Sequence, residues 1–585
     1  MMLKKFLKNL SKDSWGALFI IAIGSLSFIL TMVKSGLCLD LYCQNGKAFW
    51  GPNGHDGIWH IALSEAFSRS SWEMPVFSGS SIQNYHIGFD LLLSIVHKLT
   101  NIPTLTLYFQ ILPVVFAVLL GYFANKLLLK VTKSKEERFW ALFFLYFGGS
   151  FGWIVTFLRG GAFGGESMFW AQQAVSTLVN PPFALSLVMM FLGFWLLEKA
   201  LAVNDKRLLT FAAVVFGLLI QVKAYASVLA LFALFVAALW DAVKMRRLVI
   251  FKVFLTSLIV SILILPSSPK DSSIFIFKPF WFLETMMQLS DRFGWQKFGE
   301  AMVNYKSGGN ILKATLSYSL AFVIFVVGNF GTRIFALFYT SLKLKNLTNL
   351  KIFEVSFFTI IILGVAIPMF FVQEGTPWNT IQFLYYSQVF LGIFSGFVIG
   401  GFLRKVRVVL AKSLTIFIVV ALTAPTTIGT LMYVYLPTRA PSYIPKEELE
   451  ALHFLASQPP GVVLTYPIDR QKAKEAEKSP PRPLYLYEST AYVSALSKHD
   501  VYLEDEVNLD ITGYDWKKRR EEVINWLKED NPASAREFLA TRSINYIYWV
   551  KGKSGEDSQR AILGDLQLGL TNIYENEGAV IYKTN

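Results

Sequence analysis

Three of the six histidines, His55, His60 and His86, lie in one stretch with the acids Asp40, Asp56, Glu65 and Glu73 and the phenol of Tyr85. A carboxylate at a water–lipid boundary can accept a proton from a sugar or protein hydroxyl. Histidines beside it can orient a substrate or hold a divalent cation that neutralises phosphate. In GHDGIWHIALSEAF (54–67), Gly54 and Gly57 loosen the start of a helix. Asp56 and His60 then fall one turn apart on one face, with Glu65 less well aligned. Ile58, Ala62 and Phe67 give this helix an apolar side suited to a membrane surface. A second polar motif, QNYHIGFD (83–90), opens the next apolar stretch.

The elements that must position these groups are set by composition. The chain has 585 residues, 54% of them hydrophobic and 16% charged, with 51 Phe, 24 Tyr and 15 Trp. Average soluble proteins carry roughly 25% charge, so a soluble globular enzyme, a disordered chain and a disulfide-stapled secreted domain are all excluded. About 20 apolar residues cross a bilayer. Eleven stretches qualify, near 16–33, 103–125, 139–158, 181–203, 208–222, 224–240, 248–266, 311–341, 352–372, 380–402 and 413–436. The predicted fold class is mostly α, a polytopic membrane domain of about 11–13 spans over 1–436, followed by a small α/β extracytoplasmic domain over 437–585. The stretch 87–99 is assigned as a re-entrant or interfacial helix.

Charge divides at the same boundary. Net charge is +14, but residues 437–585 carry 19 basic and 23 acidic residues, net −4, which leaves +18 on 1–436. The tracts 1–15, 126–138, 204–207, 241–247, 342–351 and 403–412 hold 21 Lys and Arg in 59 residues, whereas the intervening loops hold 11 in 143. Basic loops stay cytoplasmic. The expectation is an integral plasma-membrane protein with a cytoplasmic N-terminus, a retained first span, a long outer loop over 34–86 and an extracytoplasmic tail. Cytoplasmic placement accounts for the basic residues, so no nucleic acid is expected as partner. Cys38 and Cys43, just past the first span, read as a small disulfide loop or as two separate thiols.

Within the membrane domain Lys223 stands in QVKAY (221–225), between two short apolar runs, and Arg333 interrupts another run in GNFGTRIF (328–335). Ionisable residues in such runs are rare and usually functional. Arg333 needs an anion or a carbonyl as partner. Glu374 and Asn379, in the loop 373–379, have the chemistry to line a sugar pocket. The glycines at 160, 161, 164 and 165 suit a mobile gate, not a P-loop, since no Gly-Lys-Ser/Thr ending follows. Lys270, Lys278, Arg292, Lys297 and Lys306 with Trp281 and Trp295 suit anchoring at the membrane interface.

An N-in first span, a long outer loop with D-x-x-x-H on a helix, and a Tyr-His motif before the next apolar stretch resemble the GT-C superfamily of polytopic membrane glycosyltransferases. This group includes protein mannosyltransferase-like and aminoarabinose transferase-like members. The segments GGSFGW (148–153), STLVNPPFALS (176–186), PWNTIQFLYY (377–386), ESTAYVSALSKHDVYLEDE (488–506) and IYENEGAVIYK (573–583) look like those of uncharacterised prokaryotic relatives. The resemblance implies an inverting hexosyltransferase, with a polyprenyl-phosphate-linked sugar as donor and a glycan, lipid or protein of the cell envelope as acceptor. It implies a first-loop acid as base, which matches Asp56 best and Asp40 second. The family's Asp-Glu pair is absent, since Gly57 follows Asp56. His60, Glu65, Tyr85, His86, Lys223, Arg333, Glu374 and Asn379 are then the expected substrate-binding groups. No cofactor is implied beyond a divalent cation, for which His55 and His60 are the available pair, although they do not complete a zinc-ligand pattern.

In the tail, 446–456, 517–528 and 533–540 read as helices; 462–466 and 544–550 read as strands, with a hairpin around Glu577-Gly578 and an exposed loop over 467–483. It carries no nucleotide fingerprint or catalytic-triad spacing, and reads as a stabilising or acceptor-guiding domain. Two rival readings remain. A transporter or flippase for lipid-linked sugars predicts inverted repeats and midplane charges, and no repeat is found. A non-catalytic assembly protein predicts that Asp56 and His60 are dispensable.

Overall fold

The structure is a computed structural model that describes residues 15–40, 44–265, 275–551 and 568–584. Cys43, Lys270 and the basic residues of 1–14 lie outside them. Seven helices are long and apolar enough to cross a membrane: Thr104–Val131, Pro181–Val203, Ala224–Met245, Ile311–Leu344, Ile352–Phe370, Pro377–Lys405 and Val409–Tyr435. The chain is an integral membrane protein. Lys135–Phe147 and Gly152–Gly160, bent by 51°, make an eighth if the pair is one broken span rather than a re-entrant loop. The other three of the eleven expected stretches are helical but short: Trp15–Ile29 and Val249–Leu263 have 15 residues each and Lys206–Val222 has 17. By length and composition the described residues thus give seven or eight spans where hydropathy alone gives eleven or more.

The chain divides into two compact units. Of the described residues, one holds 15–31, 113–265 and 275–436; the other holds those of 32–112 and of 437–584. In the first unit the helices pack through small residues. A Cβ on Gly396 would lie 2.2 Å from the Ala141 backbone nitrogen, and one on Gly400 would lie 2.4 Å from that of Glu137. This one-turn glycine spacing lets Gln382–Lys405 lie directly on Lys135–Phe147. Two helices break where hydropathy continues: at Gly148 before the 51° bend, and at Gly331, whose φ of +52° ends Ile311–Phe330 and starts a 3₁₀ turn over Gly331–Phe335.

The second unit is α/β. Its five-stranded sheet runs in the order Leu570–Glu575, Ala579–Thr584, Ile544–Val550, Val462–Thr465, Asp500–Val501. The first two pairings are antiparallel and the last two parallel. Ile544–Val550 is buried at every position but Asn545, as a central strand requires. A smaller sheet joins Leu37–Cys38 and Lys47–Phe49 to Ser442–Ile444 and Arg482–Pro483. Ala48 faces Tyr443 in this pairing. Gly46 is required there, because a Cβ would lie 1.9 Å from the Ile444 carbonyl oxygen. Cys38 is disulfide-bonded. The tail helices Lys446–Ala456, Trp516–Leu527 and Pro532–Thr541 fall where the pattern puts them, and the expected loop 467–483 contains the helix Arg470–Ala476.

Gly88–Thr100 has 13 residues, about 20 Å at 1.5 Å per residue, too short for a hydrocarbon core of about 30 Å. It presents Phe89, Asp90, Leu93 and Ser94 to the interior and leaves Ile95 and Leu99 exposed.

Candidate functional site

Asp56 opens the helix Asp56–Ser68. This helix does not lie on a membrane surface as its apolar side suggests. Gly57 through Phe67 are all buried, and Ile58, Ala62 and Phe67 are at most 5% exposed, so the unit encloses it. A buried Ile, Leu or Phe contributes about 1.5–3 kcal/mol, which makes it a rigid platform. Asp56 is the exception, with its side chain 42% exposed.

Two segments of the tail are fastened to the turn just before Asp56. Tyr487 donates its hydroxyl to the Gly51 carbonyl at 2.8 Å, and Thr490 donates to the Gly54 carbonyl at 2.9 Å. The indole of Trp50 donates to the Pro437 carbonyl at 2.9 Å. Farther along, Val501 N–H bonds Pro75 O at 2.7 Å, Ser78 N–H bonds Val501 O at 3.0 Å, and Arg519 donates to the carbonyls of Ser78 and Tyr502 at 2.8 Å each.

This stapling creates the central feature of the site. His55 donates from Nδ1 to Asp56 at 3.0 Å and from Nε2 to Asp505 at 3.2 Å. The Asp505 side chain is fully buried. It caps its own helix, accepting from the Asn508 N–H at 3.2 Å and side-chain amide at 2.9 Å. Its φ of +49° lies in the left-handed region, which Asp tolerates better than most residues. Burial would depress the His55 pKa. The charges of Asp505 and Asp56 and their hydrogen bonds outweigh burial and hold it well above the ordinary range. The imidazole is therefore a cation between two carboxylates at neutral pH. The fully buried bond to Asp505 is worth about 1.5–3 kcal/mol, whereas solvent screens the bond to the half-exposed Asp56 and leaves it worth less.

His60 takes a different partner. Its Nδ1 donates to Asp90 Oδ1 at 2.7 Å, with both side chains buried. Tyr108 stacks on the ring at 5.9 Å and Phe89 meets it edge-on at 5.3 Å. The Tyr85 hydroxyl lies 3.5 Å from the same nitrogen, and the His86 ring stacks on Tyr85 at 4.8 Å. Burial raises the Asp90 pKa although His60 pulls it down. Asp90 Oδ2 and the Tyr108 hydroxyl are buried without a hydrogen-bond partner.

The other expected residues are placed as follows. Glu65 is 4% exposed; it accepts from the Thr104 hydroxyl at 2.6 Å and lies 3.6 Å from Lys498 Nζ, so it clamps the helix from two sides. Asp40 accepts from the backbone N–H groups of Gln44 and Asn45 at 2.9 and 2.8 Å, which turns its carboxylate into its own loop. Lys223, Arg333, Glu374 and Asn379 belong to the other unit. Lys223 is 4% exposed at the extended break between Lys206–Val222 and Ala224–Met245 and donates to Asn180 Oδ1 at 3.3 Å. Arg333 is 1% exposed and bonds the Asn329 and Phe330 carbonyls at 3.1 and 3.2 Å and the Gln173 side chain; its partners are carbonyl oxygens rather than an acid. Asn379 bonds Thr376 and Gln382 at 3.3 Å each, and Glu374 is exposed.

Among the described residues no group of three or more His, Cys, Asp or Glu side chains is placed to hold a metal ion. The rings of His55 and His60 turn to different carboxylates. The pair does not fit the expected divalent cation, and no step is assigned to one.

Sequence reasoning missed Asp505, Asp90 and Glu488. Asp90 closes the QNYHIGFD motif and was legible as the first-turn acid of the next helix. Asp505 and Glu488 carry no local signal. Burial raises the Glu488 pKa, with His55 opposing and Asp56 and Asp505 adding to the shift. Glu488 lies on a cleft of about 440 Å³ that Arg470, Lys474, Arg482, Tyr487 and Glu506 also line. Glu506 is held by Arg470 at 3.0 Å and by Arg520, and Arg482 covers the Tyr487 ring at 4.8 Å.

No protein-family model matches the sequence, and no curated protein does. Solved structures do resemble it. The oligosaccharyltransferase of Archaeoglobus fulgidus, tethered to an acceptor peptide containing the NVT sequon, matches with a TM-score of 0.51 and 12% identity over 98% of this chain and 74% of that one. Its apo form matches with a TM-score of 0.51 and 13% identity over 98% and 75%. The complex of that enzyme with an inhibitory peptide and a dolichol-phosphate matches with a TM-score of 0.50 and 12% identity over 98% and 74%. At such identities the likeness is one of architecture alone: the chain shares the fold of the archaeal oligosaccharyltransferase, in agreement with the resemblance carried by the first outer loop.

Proposed function

We propose that this chain is an integral-membrane glycosyltransferase that moves a sugar from a polyprenyl-phosphate carrier to a glycan, lipid or protein acceptor of the cell envelope on the outer face. The observation that carries the reading is Asp56, a solvent-reaching carboxylate on a buried helix, fixed by a protonated histidine that a buried aspartate anchors in turn. The neighbouring fold contributes the donor class, since dolichol-phosphate and an acceptor peptide are bound by the archaeal oligosaccharyltransferase.

In this reading the acceptor oxygen attacks the anomeric carbon from the face opposite the phosphate. The C–O bond to phosphate breaks, the acceptor proton passes to Asp56, and the lipid phosphate leaves with the electron pair, so the configuration inverts. His55 orients Asp56 through its Nδ1–H. The cleft beside Glu488 is the choice for the acceptor, because its segment is bonded to the turn that delivers Asp56. His60, Tyr85 and His86 brace this platform through Asp90.

The test is mass spectrometry of lipid-linked sugars in cells with and without the protein. Accumulation of one polyprenyl-phosphate sugar on deletion, reversed by the wild-type chain, is the expected result. An unchanged lipid-linked pool would count against the reading.

A further inference from the structure

A second site lies in the membrane unit, independent of the glycosyl-transfer reading. The start of Trp15–Ile29, the start of Lys135–Phe147, the end of Gln382–Lys405 and the start of Val409–Thr430 surround a groove of about 550 Å³. Its walls are apolar, with Ile20, Phe139, Phe143, Leu403 and Val420. Its rim carries Lys135, Arg138 and Lys412 against the single acid Glu136. Glu136 accepts from the Ser134 hydroxyl at 3.0 Å. All these charges fall at the helix ends that carry the basic tracts 126–138 and 403–412.

Arg138 makes this more than a basic rim. It is 8% exposed, a rare state for a guanidinium with five N–H donors. Its guanidinium donates to the Lys133 carbonyl over a long 3.4 Å. It lines the groove from a helix whose neighbouring turns supply the apolar wall at Phe139 and Phe143. A fork of donors at the mouth of an apolar slot, flanked by two further cations, is complementary to a phosphate diester with acyl chains. Exposed Phe19, Ile23 and Phe417 on the same helices extend the apolar surface.

We infer that this groove binds an anionic phospholipid, with the phosphate on Arg138 and Lys412 and an acyl chain between Ile20, Phe139 and Val420. The lipid completes the packing of four helix ends and supplies an anion to Arg138, for which no acid is in salt-bridge reach among the described residues.

Native mass spectrometry of the full chain, exchanged into mixtures of phosphatidylglycerol and phosphatidylcholine, tests this. Wild type is expected to retain phosphatidylglycerol in preference to phosphatidylcholine. Each of Arg138→Gln and Lys412→Gln is expected to lower that retention by about five-fold. Lys412→Gln stands on a half-exposed helix start and remains informative if Arg138→Gln fails to fold. Soluble glycerol phosphate distinguishes the headgroup from the whole lipid: it is expected to displace little, because the acyl wall contributes. Equal retention of the two lipids by wild type, unchanged retention in both variants, or full displacement by glycerol phosphate would overturn the proposal.

Discussion

The imidazole of His55 lies 3.2 Å from the carboxylate of Asp505, although 450 positions separate them. This bond joins the first loop to the tail at the residue next to Asp56. Because burial opposes the proton and two carboxylates retain it, the native pKa of His55 is raised above 6.5. A group with a raised native pKa contributes stability that is complete below its unfolded value and is lost as pH climbs through the native value. The wild-type melting temperature is therefore expected to fall as pH rises above about 6.5. Asp505→Asn removes the largest raising influence, so the fall should vanish or reverse. Thermal melts of both proteins across about pH 6–9 decide this, and parallel curves would remove the ion-pair account.

Asp56→Asn keeps the shape and the hydrogen bond to His55 but cannot take a proton. Loss of a general base costs about 10²–10⁴-fold in rate. Because the Asp56 side chain is 42% exposed, its melting temperature should change little. Turnover measured with a polyprenyl-phosphate sugar and the acceptor found in cells, beside a melt of the same preparation, separates chemistry from folding. Wild-type turnover in this variant would end the base assignment.

These two residues mark how far a single sequence reaches. The Asp56 helix was legible from its spacing and glycine entry, and the apolar stretches from hydropathy. The pairing was not. Asp56 and His60 stand four apart and suggest a joint site, yet His55, one residue earlier, is the one that holds Asp56, and His60 turns to Asp90. The helix buries its whole circumference, so face periodicity carries little information. Likewise the breaks at Gly148 and Gly331 leave hydropathy untouched, because they follow from backbone geometry.

Asp90 offers a separable test. Leaving a buried donor without its acceptor costs about 1–3 kcal/mol, so Asp90→Ala, which strands His60 Nδ1–H, should destabilise by about that amount. Asp90→Asn retains an acceptor for His60 Nδ1 and should cost less. The sign with pH is also fixed. Burial raises the Asp90 pKa from 3.8, so its contribution relative to Asn is greatest at low pH and fades as pH rises through the native value. Chemical denaturation of the three proteins at two pH values checks both statements. Equal stability of Asp90→Ala and wild type would show that the pair does not hold the platform.

The sidedness of the tail follows from pairing the basic tracts with the helices between them. Tracts 1–15 and 126–138 share a face only if the short Trp15–Ile29 crosses along with Thr104–Val131. The next tract, 204–207, requires the bent pair and Pro181–Val203 to cross. Tract 241–247 requires Lys206–Val222 and Ala224–Met245; 342–351 requires Val249–Leu263 and Ile311–Leu344; 403–412 requires Ile352–Phe370 and Pro377–Lys405. Each step is an even number of crossings, and Val409–Tyr435 adds one more. A shared face for the basic tracts thus predicts that the short helices cross despite their length, which local thinning and flanking lysines permit at modest cost. An epitope tag placed after Asn585 is expected to bind antibody on intact, wall-permeabilised cells, whereas a tag in 342–351 should bind only after the membrane is opened. If the two tags behave alike, one of Ile352–Phe370, Pro377–Lys405 and Val409–Tyr435 fails to cross, and the tail loses its outer-face assignment.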